Sequence, residues 1–282
     1  MKSGVSKFQL TITIFFLFSI LAFGTQAESY NREADTHLDR GIANYRHGQY
    51  EHAIQECDKA INIDPKFASA YYNRGRAYYE LGQYERAIQD YDKAINLGPE
   101  FAAAYQHRGL VYHELGRYEQ AIQDYDKAIN IDPNYAFTYS FRGITYYILG
   151  QYERAIQDHS KAINLDPENG EAYDLRGVVY GTIGRFDLAL QDFIKAINLA
   201  PNAQAHYNLG LLYFRQDKFK KSISEFDRAI QLDPKLANAY LNRGLAKIAL
   251  GMSTTSCRDL ETACSLGECK GLEFSRAERI CH

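Results

Sequence analysis

The sequence predicts an all-α chain, an α-solenoid of stacked helix pairs, and three observations predict it. All six prolines, Pro65, Pro99, Pro133, Pro167, Pro201 and Pro234, recur at intervals of 34 residues with one step of 33. Between them, apolar and small residues recur at helical spacing, as in Tyr71, Gly75, Tyr78 and Leu81, then Tyr84, Ala87, Ile88, Tyr91, Ala94 and Ile95. A glycine stands at one phase of this pattern in the middle of every first helix: Gly41, Gly75, Gly109, Gly143, Gly177, Gly210 and Gly244. A helix pair of this length cannot bury its apolar face alone, so successive pairs must stack, and the product is an extended surface rather than an enclosed catalytic pocket.

Taken in order, the first element is residues 1–27. Lys2 and Lys7 precede an apolar run from Leu10 to Phe23, and Thr25-Gln26-Ala27 stands before Glu28. This reads as a secretory signal peptide cleaved after Ala27. The run of about 14 residues is shorter than the roughly 20 needed to span a bilayer, so no stable membrane insertion is expected after cleavage; a retained anchor is the alternative. Removal of this segment leaves 30 basic against 35 acidic residues, a net charge of −5. The charges are interspersed and form no basic stripe, which argues against a nucleic-acid partner.

Seven helix pairs then begin near residues 34, 68, 102, 136, 170, 203 and 237 and run to about 266 as one elongated domain. Each helix is expected to span about 12–14 residues. Gly82-Gln83 separates the two helices of a pair, and the Asp64-Pro65 step is expected to start the next pair in the first turn of its helix, where proline's missing N–H costs nothing. Glycine inside a helix costs about 1 kcal/mol relative to alanine, so the central glycines require a reason. The expected one is close helix crossing, with Ala87, Ala121, Ala155 and Ala189 as the small facing residues. The Asp-Tyr-Asp segments at Asp90–Asp92 and Asp124–Asp126 are expected to be solvated helix-face charges beside Lys93 and Lys127.

The last element is cysteine-rich. Cys57 replaces the Tyr91, Tyr125, His159, Phe193 or Phe226 of other repeats and reads as a small buried thiol. Cys257, Cys264, Cys269 and Cys281 cluster at the C-terminus, where export permits disulfides. Four cysteines allow three connectivities. If Ser253–Leu266 and Glu268–Arg279 form a helical hairpin around Gly267, the nested pairs Cys264–Cys269 and Cys257–Cys281 are favoured, stapling a cap over residues 267–282. A four-thiolate zinc site or a redox pair are the alternatives, without a Cys-x-x-Cys or a histidine at zinc-finger spacing to support them.

The spacing and the recurring Leu-Gly, Tyr, Ala, Gly-x-Tyr, Ala and Pro of residues 34–266 resemble the tetratricopeptide repeat. The last repeat departs from it: Gly251 is followed by Met252-Ser253, with no aromatic and no closing proline. The resemblance implies a right-handed solenoid whose first helices line an inner groove, chiefly through their second, fifth, ninth, twelfth and thirteenth positions. On this chain those positions carry Tyr72, Arg76 and Tyr79; Leu110 and His113; Phe137, Ile144 and Tyr147; Asp174; and Tyr207, Leu211, Phe214 and Arg215. The fifth repeat is small and acidic there, with Glu171, Val178, Gly181 and Thr182 beside Asp174. The lysine, arginine and asparagine set with which one subfamily clamps a terminal carboxylate is missing, since the fifth and ninth positions of the first repeat are Leu38 and Ile42. Asn73, Asn208 and Asn242 are expected to order local backbone.

The eight histidines are scattered, and no phosphate loop, nucleophile elbow or triad spacing is present. The expectation is a non-enzymatic scaffold of the cell envelope, periplasmic or secreted, with no cofactor and no metal. It would hold a peptide or protein segment in its groove. The alternative is a structural, self-associating envelope component, a homo-oligomer formed through the convex face or through the uncapped first repeat around Leu38 and Ile42.

Overall fold

The computed structural model describes residues 32–278, 280 and 281; the proposed signal segment lies outside them. Helix α1 occupies residues 32–46 of that range. The repeats continue with α2 (Tyr50–Ile63), α3 (Ala68–Glu80), α4 (Tyr84–Leu97), α5 (Ala102–Glu114) and α6 (Tyr118–Ile131). They go on through α7 (Ala136–Ile148), α8 (Tyr152–Leu165), α9 (Gly170–Thr182), α10 (Phe186–Leu199), α11 (Ala203–Arg215) and α12 (Phe219–Leu232). The last are α13 (Ala237–Ala249), α14 (Ser253–Ser265) and α15 (Lys270–Ala277). No strand occurs among the described residues. The described chain divides into two compact parts, up to Pro133 and from Asn134 on, where the sequence suggested one domain. Each repeat touches only its neighbours, so no single core ties the array together.

The turn inside each pair follows from one glycine. At the end of α3, Gly82 sits at φ +69°, and its N–H reaches the Tyr79 carbonyl at 2.9 Å while Gln83 N–H reaches Tyr78 at 2.8 Å. These bonds satisfy carbonyls that the helix end would leave orphaned, in a conformation that costs glycine little. Repeat six makes the same turn with Asp217 at φ 56°. The turn between pairs differs from expectation. Pro65 is not in the first turn of α3, which starts at Ala68, but one residue into a four-residue β-turn closed by Phe67 N–H on the Asp64 carbonyl at 3.1 Å. Proline's fixed φ suits that position, and Asp64 Oδ1 accepts the Lys66 N–H at 2.9 Å.

The central glycines do mark close approach, but the facing group is a ring. A Cβ on Gly75 would lie 2.8 Å from Tyr91 Cε1 and 3.3 Å from the Ala87 carbonyl oxygen. Tyr125, His159, Phe193 and Phe226 stand in the same way against Gly109, Gly143, Gly177 and Gly210. In the first repeat it is Cys57 Sγ, 3.0 Å from the corresponding point on Gly41. Cys57 is fully buried, and burial pushes its thiol up to about 12, so it is not nucleophilic at neutral pH.

Only part of each Asp-Tyr-Asp segment is a solvated charge: the first acid is buried in a recurring ionic clamp, while the second, as at Asp92, stays 46% exposed and pairs with the arginine of the next repeat. Arg74 Nε and Nη2 bind both oxygens of Asp90 at 2.7 and 2.6 Å, and Nη1 reaches back to Asp58 of the preceding repeat at 2.5 Å. Arg108 binds Asp124 and Asp92 likewise. Arg243 binds Asp259 and Asp227, and Arg176 binds Asp192 and the Ser160 hydroxyl. Asp90, Asp124, Asp158, Asp192 and Asp259 are buried. Repeat six abandons the clamp: Leu209 replaces the arginine and is buried against Ala189, Phe193 and Leu212, while Glu225 turns to His206 Nδ1 at 2.8 Å. Repeat one also pairs a histidine with a glutamate, His37 Nδ1 with Glu56 at 2.7 Å.

At the C-terminus Cys257 is bonded to Cys281 and Cys264 to Cys269, the nested arrangement. The helix after Gly267 is shorter than the hairpin reading suggested, eight residues from Lys270 to Ala277. It lays Leu272 on Leu260, with Leu241, Ile248 and Ile280 around them. Gly271 permits the contact, because a Cβ there would fall within 2.9 Å of Leu260 Cδ2. Among the described residues no helix is long and apolar enough to cross a membrane.

Candidate functional site

First helices of successive repeats touch one another within each part: α3 with α5, and α7 with α9, α9 with α11 and α11 with α13. Their fifth, ninth, twelfth and thirteenth positions therefore form a common face in each part.

In the first part this face is polar and aromatic. Arg76 lies 4.1 Å over the Tyr45 ring and 5.8 Å from that of Tyr72, a cation–π arrangement, and Tyr45 donates to Glu80 Oε1 at 2.7 Å. Tyr79 is half-buried against Tyr84 at 5.7 Å, and burial pushes its phenol up to about 12. Tyr72 packs with Phe101 at 4.8 Å and edge-on to His107 at 5.2 Å, so it belongs as much to the join between repeats as to the face. Burial lowers His107 to about 4 and holds it neutral. Leu110 and His113 are half-buried; His113 stacks near Tyr118 at 5.5 Å, and burial lowers its pKa.

In the second part Phe137 is the most exposed of the candidate rings, at 48%, and Ile144 is half-buried. Tyr147 OH stands 3.2 Å from Thr182 Oγ1. Asp174 accepts both of its side-chain hydrogen bonds from Asn208 Nδ2, at 3.1 and 2.9 Å; burial lifts the carboxyl to about 6 against that bond. Asn208 thus joins two repeats instead of ordering local backbone, which Asn73 does through Ser69 O at 2.8 Å. Asn242 does both, bonding Asn238 O at 2.9 Å and Tyr207 OH at 3.2 Å. Phe214 stacks near Phe219 at 5.3 Å.

A cleft of about 190 Å³ opens on this second face, lined by Tyr147, Val178, Gly181, Thr182, Phe193, Asn208, Leu211, Leu212 and Arg215. Tyr147, Leu211 and Arg215 were among the sequence candidates; Leu212, Phe193 and Asn208 were not. The missed signal is a gap in a column. Position twelve of the first helix reads Tyr79, His113, Tyr147, Gly181 and Phe214 in successive repeats, and the cleft lies where the ring is missing. Leu38, offered as a self-association surface, is buried against Cys57, Ala60, Ile61 and Ala70, with Ile42 packed beside it, so it is not available to a second copy.

The sequence profile described as "TPR repeat" matches residues 41–82, 75–116, 109–148 and 143–184. That described as "Tetratricopeptide repeat" matches residues 170–202 and 203–236. The fold is similar to that of a tetratricopeptide repeat protein from Parabacteroides merdae, with a TM-score of 0.68 at 21% identity over 86% of this chain and 96% of that one. It is also similar to a chain of the "APC/C hetero-tetramer Cut9-Hcn1", with a TM-score of 0.73 at 17% identity over 86% of this chain and 48% of that one. At these identities the likeness is one of fold. YrrB, solved as "a TPR protein with an unusual peptide-binding site", is 28% identical over 65% of this chain and 95% of its own, with a TM-score of 0.53. No curated protein matches the chain.

Proposed function

Because this chain belongs to the tetratricopeptide-repeat family, we propose that it is a non-enzymatic scaffold of the cell envelope that binds a peptide or protein segment on the face formed by its first helices. The observation that carries this reading is the half-buried aromatic and apolar side chains at positions five, nine and twelve of the first helices within each part, Tyr79 and Leu110 in the first and Tyr147, Tyr207, Leu211 and Phe214 in the second. Such side chains keep apolar area that a partner can still cover, and they are held by their neighbours in fixed geometry, so little entropy is lost on binding. The likeness to YrrB, a TPR protein with an unusual peptide-binding site, supports the same reading. The envelope location is supported by the charged and apolar pattern of residues 1–27 and by the two disulfides, which persist in oxidising compartments.

The test is capture of partners from an envelope extract by the full chain and by a variant with Tyr79, Tyr147 and Phe214 changed to alanine, after both are shown to melt cooperatively. A second variant with the outward-facing Arg86 and Arg154 changed to alanine serves as control. The expected outcome is a protein retained by the native chain and the control and lost from the triple variant. Equal retention by all three would refute the groove reading, and light scattering that shows a concentration-dependent oligomer would favour self-assembly instead.

A further inference from the structure

We propose that the cleft at Gly181 is a specificity pocket for one aromatic side chain of a bound peptide, with Arg215 on its rim binding an aspartate or glutamate beside that residue. The proposal rests on the groove reading above and names the anchor that the groove selects.

The shape of the occupant follows from the other repeats. At position twelve, a ring packs tilted or edge-on against the aromatic that opens the second helix of its own repeat: Tyr45 on Tyr50 at 5.5 Å, Tyr79 on Tyr84 at 5.7 Å, His113 on Tyr118 at 5.5 Å, Tyr147 on Tyr152 at 5.8 Å and Phe214 on Phe219 at 5.3 Å. Repeat five keeps the second aromatic, Phe186, but has Gly181 in place of the first. The space is not closed by its neighbours. A Cβ on Gly181 would find only Leu212 Cδ1 at 3.8 Å and Ala189 Cβ at 3.9 Å, ordinary contacts. A ring entering from a partner would lie beside Gly181, over a floor of Phe193, Leu212 and Val178; Phe186 packs on the core of Ala189, Phe193, Leu209 and Leu212 and does not line the cleft.

The charge of the occupant follows from the rim. Arg215 Nη1 donates to the Gly181 carbonyl at 3.3 Å, which places the guanidinium at the mouth of the cleft. Among the described residues no carboxylate lies within ion-pair distance of it. Its counterparts at position thirteen are Arg46, Glu80, Glu114, Ile148, Thr182 and Ala249, so it is the one cation at this position in the repeats that line the cleft, and a carboxylate is its complement. The rest of the rim is held in place by Tyr147 on Thr182 and Asn208 on Asp174, which leaves the cleft formed before anything binds.

The probe is the blocked peptide acetyl-Gly-Glu-Phe-Glu-Gly-amide, whose only carboxylates are side chains, titrated into the full chain and followed by amide chemical shifts. Saturable shifts are expected in α9 and α11 with the native chain and with Gly181→Ala. Gly181→Tyr, which returns the missing ring, is expected to weaken binding at least tenfold. Arg215→Gln and the peptide with glutamine for glutamate are each expected to weaken it about tenfold, with no further loss when combined. No saturable shift with the native chain, equal affinity for Gly181→Tyr, or equal affinity for the peptide with alanine for phenylalanine would overturn the proposal. The peptide arm decides if Gly181→Tyr fails to melt cooperatively. Partner capture that survives Gly181→Tyr but is lost from the triple alanine variant would remove the pocket and keep the groove; capture insensitive to both removes both.

Discussion

At the scale of the residue, Asp174 carries the clearest solution signature. Its carboxyl accepts from Asn208 Nδ2 of the next first helix. Burial lifts it from 3.8 to about 6, with Glu171 adding to the shift. The folded chain therefore holds this proton more tightly than the unfolded chain does, so the residue adds stability as pH falls from about 6 to about 4 and costs stability above that window. Asp174→Asn removes the charge and keeps a partner for Asn208. The expected outcome in thermal melts is a variant more stable than the native chain at pH 8, with the difference shrinking as pH falls through 6 and gone near 4. The glycines teach a different lesson at this scale. Their mid-helix position was plain in the sequence, and Ala87 does stand opposite, its carbonyl 3.3 Å from a Cβ on Gly75, but the nearer group is the Tyr91 ring at 2.8 Å. Helical phase gives the direction in which a residue points, not which of two residues one turn apart on the neighbouring helix meets it.

At the scale of the element, the ionic clamp decides how neighbouring repeats are joined. Arg108 and Asp124 are largely buried, with side chains 18% and 7% exposed, and breaking such a pair from one side leaves an uncompensated charge. Arg108→Met is expected to destabilise by about 3 kcal/mol, and Arg108→Met with Asp124→Leu to recover most of it, as read from denaturant unfolding of both variants against the single Asp124→Leu. The chain makes a related exchange itself, since repeat six has the buried Leu209 in place of the arginine and the preceding repeat has Ile194 in place of the second acid. Each residue of the clamp was visible in the repeated text, and the pairing was not. The arginine and its acid are 16 residues apart on different helices, and only the packing of those helices brings them to hydrogen-bond distance. The same holds for proline, whose recurrence located every boundary while its place in a β-turn rather than in a helix was a matter of backbone geometry.

At the scale of the whole molecule, stability is distributed repeat by repeat, so damage at one end should remain local. The Cys257–Cys281 bond closes a loop across the terminal cap, worth roughly 3.5 kcal/mol at most by loop entropy. Changing both cysteines to serine is expected to cost amide protection in α14 and α15 and to leave α3 and α4 as protected as before, measured by native-state hydrogen exchange. Uniform loss of protection along the chain would show that the array unfolds as one unit. What the sequence by itself determined is the all-α class, the repeat length and the start of each repeat, with the nested cysteine pairs favoured among three connectivities, because these are properties of periodicity and short-range chain connection. Only the tertiary structure decided the partners of the acids and central glycines, the burial of Leu38 and the opening of a cleft beside Gly181. Those depend on how far one helix stands from the next, and that distance is set jointly by side chains that the sequence keeps 16 to 35 residues apart.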